Sequence, residues 1–257
     1  MSDSILFDVT DGLARITLHR PERLNAIDAE AARRWREIAA EVAGRDDVRA
    51  AVLDASGRAF CAGGDVLAMS QLGDDAPDWV RELADVIHDG HRMLRESAVP
   101  IVAAVQGPVA GGGLGFMLVA DLVVASSRAS FASKYADIGL TPDCGVSTLL
   151  PEAIGTRRAL ELLLTPRTLN AAEALEWGLV AEVVEPEALD ARVAEIAGGW
   201  VAGASAAFGQ AKRLVHAGRG RSFAASLDDE AETIGAAFGT PEAEARVAAF
   251  AAASSRR

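Results

Sequence analysis

Cysteine, aromatic residues and positive charge are all scarce in this sequence, and each shortage removes a class of protein. Two cysteines, Cys61 and Cys144, in 257 residues are too few for a disulfide framework, and their spacing matches no metal motif; both read as thiols of a reducing compartment. Lys and Arg number 25 against 37 Asp and Glu, a formal charge of −12 that opposes the basic footprint needed for phosphate-backbone binding and argues against nucleic acid as a partner. No long uninterrupted apolar run is present. The most membrane-like stretch, 99–125, is broken by Gln106, Pro108, a glycine cluster and Asp121, so a buried strand, turn and helix is expected there rather than a membrane span. The opening segment carries acids where a signal peptide would carry positive charge, and its apolar positions alternate, so a cytoplasmic protein without an export signal is expected. Internal repeats and low-complexity linkers are lacking as well.

Half of the residues are apolar and 24% are charged, enough for one large globular domain or one domain with an appendage. Ile5 to Val9 and Leu13 to His19 alternate around Asp11-Gly12, the pattern of a β-hairpin. Asp28 then caps a helix with Ala32, Trp35, Ile38, Ala39 and Val42 at helical spacing, and Gly44 stops it before the strand Ala50 to Leu53. Pro77 suits the first turn of a second helix, with Val80, Leu83, Val86, Ile87 and Leu94 on one side, before the strands Ile101 to Val105 and Leu122 to Ala125. Strands separated by helices predict an α/β chain with mainly parallel strands. From about Ala188 onward only helical signals remain, over 188–202, 204–217, 221–238 and 241–252.

Five places bear on chemistry. Cys61-Ala62-Gly63-Gly64-Asp65 follows a strand and allows backbone N–H groups to approach a ligand, or it is a tight turn into a helix capped by Asp65. Gly111-Gly112-Gly113-Leu114-Gly115-Phe116 opens a helix after a strand, which suits either an anion or oxyanion site or close helix–sheet packing; Phe116 breaks the dinucleotide fingerprint. Asp143 sits in a loop after Pro142, as a helix cap or as a working acid. Ser147 lacks the final glycine of a nucleophile elbow, which disfavours a serine hydrolase. His88 and His91 are three apart on a helix, but no Cys, Asp or third His at ligand spacing completes a metal set, so no metal is expected.

Taken in order, Arg20-Pro21-Glu22-Arg23-Leu24-Asn25-Ala26, Ala59-Phe60-Cys61-Ala62-Gly63-Gly64-Asp65-Val66 and Gly107-Pro108-Val109-Ala110-Gly111-Gly112-Gly113 resemble the crotonase superfamily of enoyl-CoA hydratases and isomerases. The resemblance continues through Asp121 to Ala125, Ile138 to Asp143 and Ala171 to Val180, and so covers nearly the whole chain. It implies a spiral of ββα units over 1–187, carrying the CoA and oxyanion sites, and a helical region over 188–257 that builds trimers or dimers of trimers and covers the active site. It also implies an acyl-CoA substrate, with coenzyme A as part of that substrate and no separate cofactor. The backbone N–H groups of Gly64 and Gly112 would then form an oxyanion hole for the thioester. Arg23, Leu24, Ala26, Ala62, Asp65, Val66, Leu67, Gly111 and Pro142 match segments that line the substrate and CoA site, with Arg23 a partner for a CoA phosphate.

Well-known hydratases of this superfamily carry two glutamates at places that read Gly115 and Tyr135 here, which argues against simple hydration. Asp143 matches the acid of isomerases that shift a double bond, including ring-epoxide and oxepin isomerases of phenylacetate catabolism. The resemblance therefore implies an enoyl-CoA isomerase with Asp143 as general acid and base. The alternatives are a hydratase, an aryl-CoA dehalogenase or thioesterase using Asp143 and His88 with Tyr135 in its pocket, and a non-catalytic acyl-CoA-binding scaffold.

Overall fold

The computed structural model describes residues 4–254; the outer ends of the two expected units, 1–3 and 255–257, lie outside the described residues. Strands β1 (Ile5–Thr10) and β2 (Leu13–Leu18) pair antiparallel across Asp11 and Gly12, whose φ angles of 52° and 87° are those a two-residue hairpin turn requires. Helix α1 (Ala29–Gly44) follows, capped by Asp28, whose carboxylate accepts the Ala31 N–H at 2.9 Å. In chain order come β3 (Ala50–Ala55), α2 (Val66–Met69), α3 (Ala76–Glu96), β4 (Ile101–Val105), β5 (Val109–Ala110), α4 (Gly113–Leu118), β6 (Leu122–Ser126) and β7 (Ser130–Ala132). The remainder is α5 (Val146–Ile154), α6 (Thr156–Leu164), β8 (Thr168–Asn170), α7 (Ala171–Trp177), β9 (Glu182–Val184), α8 (Leu189–Ala202), α9 (Ser205–Gly218), α10 (Phe223–Phe238) and α11 (Pro241–Ser254).

One sheet runs β1-β2-β3-β4-β6-β9, parallel from β2 onward, and a second, small sheet runs β5-β7-β8. Alternate side chains of the large sheet face two different cores, because successive residues of a strand point to opposite faces. Ala51, Leu53, Ile101, Ala103 and Val105 meet Trp35, Ile38 and Val42 of α1 in the main core, whereas Val52, Val102, Ala104 and Val124 meet Leu189, Val193 and Ala197 of α8. This is why residues 50–53 of β3 and the whole of β4 read as apolar runs without alternation. The helical region beginning at 188 thus enters the core with its first helix.

Helix α9 is fastened by a buried lysine. Lys212 Nζ donates to Leu94 O and Val99 O, each at 2.8 Å, and pairs with Asp121 at 3.2 Å. Asp121 also accepts the Ile101 N–H at 2.8 Å and bonds His216 Nε2 at 3.1 Å, so one carboxylate ties the sheet to α9. Beyond it, α10 and α11 bury no side chain among the described residues and leave Phe223, Ile234, Phe238 and Phe250 exposed. Among the described residues no helix is long and apolar enough to cross a membrane.

Candidate active site

Two loops converge at the C-terminal ends of β3 and β4. The first is positioned by Asn25, which is buried and adopts a left-handed φ of 56°, a conformation its short amide tolerates. Its Oδ1 accepts the Arg20 N–H at 2.8 Å, and its Nδ2 donates to Ser56 O and Ala59 O, both at 2.9 Å. The turn of residues 20–27 is thereby fixed against the segment entering Cys61. Ile27 N–H then donates to Gly63 O at 2.8 Å, and Asp65 N–H to Ile27 O at 2.9 Å.

Gly63, at φ 94°, brings this turn flush against the second loop: a Cβ there would lie 3.0 Å from both Ala110 O and Gly112 N. Gly112 ends that loop, directly before α4. Gly64 and Gly112 both line one cavity of about 500 Å³, and among the described residues neither N–H has an acceptor. Unpaired amides on a sheltered, mainly apolar cavity are donors waiting for a ligand oxygen. The glycine cluster serves packing as well: a Cβ on Gly113 would lie 2.3 Å from Cys61 O, and one on Gly115 2.2 Å from Cys144 O. The close-packing reading of this cluster thus holds at Gly113 and Gly115.

Across the cavity stands Asp143. Tyr135 O–H, from a buried side chain, donates to Asp143 Oδ1 at 2.6 Å, and a Cβ on Gly112 would lie 3.6 Å from that same oxygen. Burial and, next, the Asp143 charge push the Tyr135 phenol far above its ordinary value, so it remains a donor. The same two causes, in the same order, raise the Cys144 thiol, and burial pushes Cys61 up to about 12, so neither cysteine is a thiolate. Among the described residues the other carboxylate on the cavity, Asp137, is paired with Lys134 at 2.8 Å. Asp143 is therefore the acid that faces the two free amides.

The remaining candidates divide. Ala62, Val66 and Gly111 line the cavity with Gly64, Gly112, Tyr135 and Asp143. Leu24, Ala26, Leu67 and Pro142 lie outside its lining, and Ile27, Met69 and Thr141, each within two residues of one of them, take part instead. Arg23 Nη2 is paired with Asp65 Oδ1 at 2.8 Å, and Arg20 reaches the other oxygen at 3.3 Å. Burial pushes the Asp65 carboxyl up, but the bonds from Arg23, from Ala68 N–H and from Arg20 outweigh it and hold the group below the carboxylate range. Asp65 also caps α2 through that Ala68 N–H, so the arginines brace the cap as well as the loop. The walls from α3, Val80, Leu83, Ala84 and Ile87, share with core positions the only signal visible in sequence, apolarity at helical spacing.

His88 is outside the cavity lining and stands behind Asp143, its Nε2 accepting the Cys144 N–H at 3.1 Å. His91 is a core residue: Trp35 Nε1–H donates to its Nδ1 at 3.0 Å, and it packs edge-on against Phe116. The fold thus supplies the ligand types that spacing along the chain lacks, since His88, Asp143 and Cys144 have ligand atoms within 4.8 Å of one another. In this arrangement the Nε2 lone pair of His88 is engaged by the Cys144 N–H.

The sequence matches the family described as "Enoyl-CoA hydratase/isomerase" over residues 8–253. It is 37% identical to a "Probable enoyl-CoA hydratase" of Rhodobacter capsulatus over 90% of this chain and 88% of that one. It is 35% identical to "4-chlorobenzoyl coenzyme A dehalogenase-2" of an Arthrobacter species (94% and 88% covered), and 36% identical to "1,2-epoxyphenylacetyl-CoA isomerase" of Escherichia coli (74% and 72% covered). The crystal structure of an enoyl-CoA hydratase from Bacillus anthracis superposes with a TM-score of 0.90 at 26% identity, covering 99% of this chain and 97% of that one.

Proposed function

Since the chain belongs to the enoyl-CoA hydratase/isomerase family of the crotonase superfamily, we propose that it moves the double bond of an enoyl-CoA, with Asp143 carrying the proton. The observation that carries this reading is that, among the described residues, a single available carboxylate faces two unpaired amides, with the place for a second acid filled. At position 115, where a hydratase glutamate would stand, a side chain would meet Cys144 O at 2.2 Å. At position 135 a phenol donates to Asp143 instead.

In this reading the thioester oxygen of a 3-enoyl-CoA accepts the N–H groups of Gly64 and Gly112. Asp143 takes a proton from C2, the electron pair left there spreads onto the thioester oxygen on one side and through the C3–C4 double bond onto C4 on the other, and Asp143 returns the proton to C4, leaving the double bond between C2 and C3. Charge develops on the oxygen only as the C–H bond breaks, so donors held in advance lower the barrier, by about 3 kcal/mol for a typical one. Tyr135 holds one carboxylate oxygen and leaves the other for the substrate. The exposed apolar side chains of α10 and α11 support assembly into a homotrimer or a dimer of trimers.

A second reading, nucleophilic attack by Asp143 on a halogenated aryl-CoA, has the nearness of His88 in its favour and the engaged Nε2 against it. One experiment separates the three chemistries: 3-enoyl-CoA, 2-enoyl-CoA and 4-halobenzoyl-CoA in deuterated water, with mass spectrometry and halide detection. Conversion of the 3-enoyl thioester without gain of water, lost in Asp143→Asn while acyl-CoA still binds, supports isomerisation. Water addition to the 2-enoyl thioester, halide release, or a near wild-type rate in Asp143→Asn sinks it.

A further inference from the structure

We propose that His88 is a positioning residue that holds the Asp143 loop through the Cys144 amide and takes no proton from substrate. The inference rests on the reading of Asp143 as acid and base.

Immediately after Asp143 the chain makes two left-handed residues in succession, Cys144 at φ 50° and Gly145 at φ 76°. Glycine adopts this conformation freely, but a cysteine does so only where its surroundings enforce it. Three contacts do so here. The Cys144 carbonyl and Cβ lie in the space left by the missing side chain of Gly115. Val146 N–H donates to Asp143 O at 2.9 Å, closing the turn into α5. The third is the Cys144 N–H, which donates to His88 Nε2 at 3.1 Å. Without an acceptor this buried amide would be orphaned, and the peptide joining residues 143 and 144 would be free to rotate. That peptide sets the direction of the Asp143 side chain.

The same bond fixes the state of the imidazole. A ring nitrogen that accepts an N–H carries no proton, so the hydrogen of neutral His88 resides on Nδ1. A proton placed on Nε2 would put two donors face to face and release the loop. His88 therefore acts on Asp143 through Cys144, consistent with its place outside the cavity lining.

The His88→Gln variant offers the test, because a glutamine side-chain oxygen reaches the position of Nε2 and accepts the same amide, whereas alanine leaves it unpaired. With a 3-enoyl-CoA, His88→Ala lowers kcat by about 10- to 30-fold, the effect of one lost buried hydrogen bond, with KM nearly unchanged. His88→Gln stays within about 3-fold of wild type. A His88→Gln enzyme as slow as His88→Ala overturns the proposal, since proton transfer by the imidazole is then required. A readout independent of turnover is the ¹⁵N spectrum of the wild-type imidazole: a proton on Nδ1 with a bare Nε2 is expected, and a proton on Nε2 overturns the proposal. The Nδ1–H form in an enzyme inert toward enoyl-CoAs refutes the proposed reaction but leaves the positioning contact standing. Should His88→Ala fail to fold, the glutamine variant and the spectrum decide.

Discussion

Replacing Gly115 by alanine puts a methyl group where the Asp143 loop lies against α4. Its Cβ falls 2.2 Å from Cys144 O and 2.5 Å from Cys144 Cβ, while ordinary contact begins at 3.4 Å. The obstructing atoms belong to the backbone of a buried residue and to its Cβ, so no flexible side chain can swing aside. Relief requires the loop to retreat by about 1 Å, because close-packed interiors have little slack to absorb the difference. Overpacking of this kind costs about 1–3 kcal/mol of stability. The catalytic penalty is larger in consequence, since a displacement of about 1 Å in a reacting group costs on the order of 100-fold in rate. The assay pairs urea denaturation with the rate of 3-enoyl-CoA isomerisation and with acyl-CoA binding, which should change least. Gly198→Ala is the control, as nothing lies within 4 Å of a Cβ there. In that helical position the methyl stabilises by about 0.5–1 kcal/mol. A Gly115→Ala protein with wild-type stability and rate refutes the account of the loop, and with it the reason given for the missing second acid.

Two further outcomes concern the scaffold. Burial, aided by His88, pushes the His91 imidazole down to about 3 from 6.5, so between these values the unfolded chain binds a proton that the folded chain does not. Stability is then lost as pH falls through that window, by about 1.4 kcal/mol per unit, and His91→Leu removes this slope; equal acid slopes in the two proteins contradict it. Lys212→Met keeps the side-chain volume but strands Leu94 O, Val99 O and Asp121, and urea denaturation should register a loss of about 3–5 kcal/mol; a loss under about 1 kcal/mol shows that water replaces the ammonium.

Much of the fold was legible along the chain because its signals are local. The hairpin needs two residues tolerant of positive φ, and Asp11-Gly12 supplies them. The Asp28 cap and the apolar spacing of α1 need only their own neighbours, and the helical region after 188 follows from an Ala-rich sequence without strand signals. The strands β5, β7, β8 and β9 were not visible, since two or three residues carry no period and exist only because a distant segment pairs with them. Nor was the lysine clamp: Lys212 looks like any surface lysine until α9 is laid over Leu94, Val99 and Asp121.

At the candidate site the same division holds. Residue order supplied the two glycine turns and the aspartate after Pro142, and the resemblance to the superfamily pointed to the lack of acids at 115 and 135, because each is a statement about which side chains exist. Which of them meet was decided by tertiary structure: Tyr135 with Asp143, Arg23 with Asp65 rather than lying free, and His88 with the Cys144 amide across 56 positions of chain. Hydrogen bonds and steric contacts act over a few ångströms of space, and sequence separation says nothing about that distance until the sheet and the helices that bring the loops together have formed.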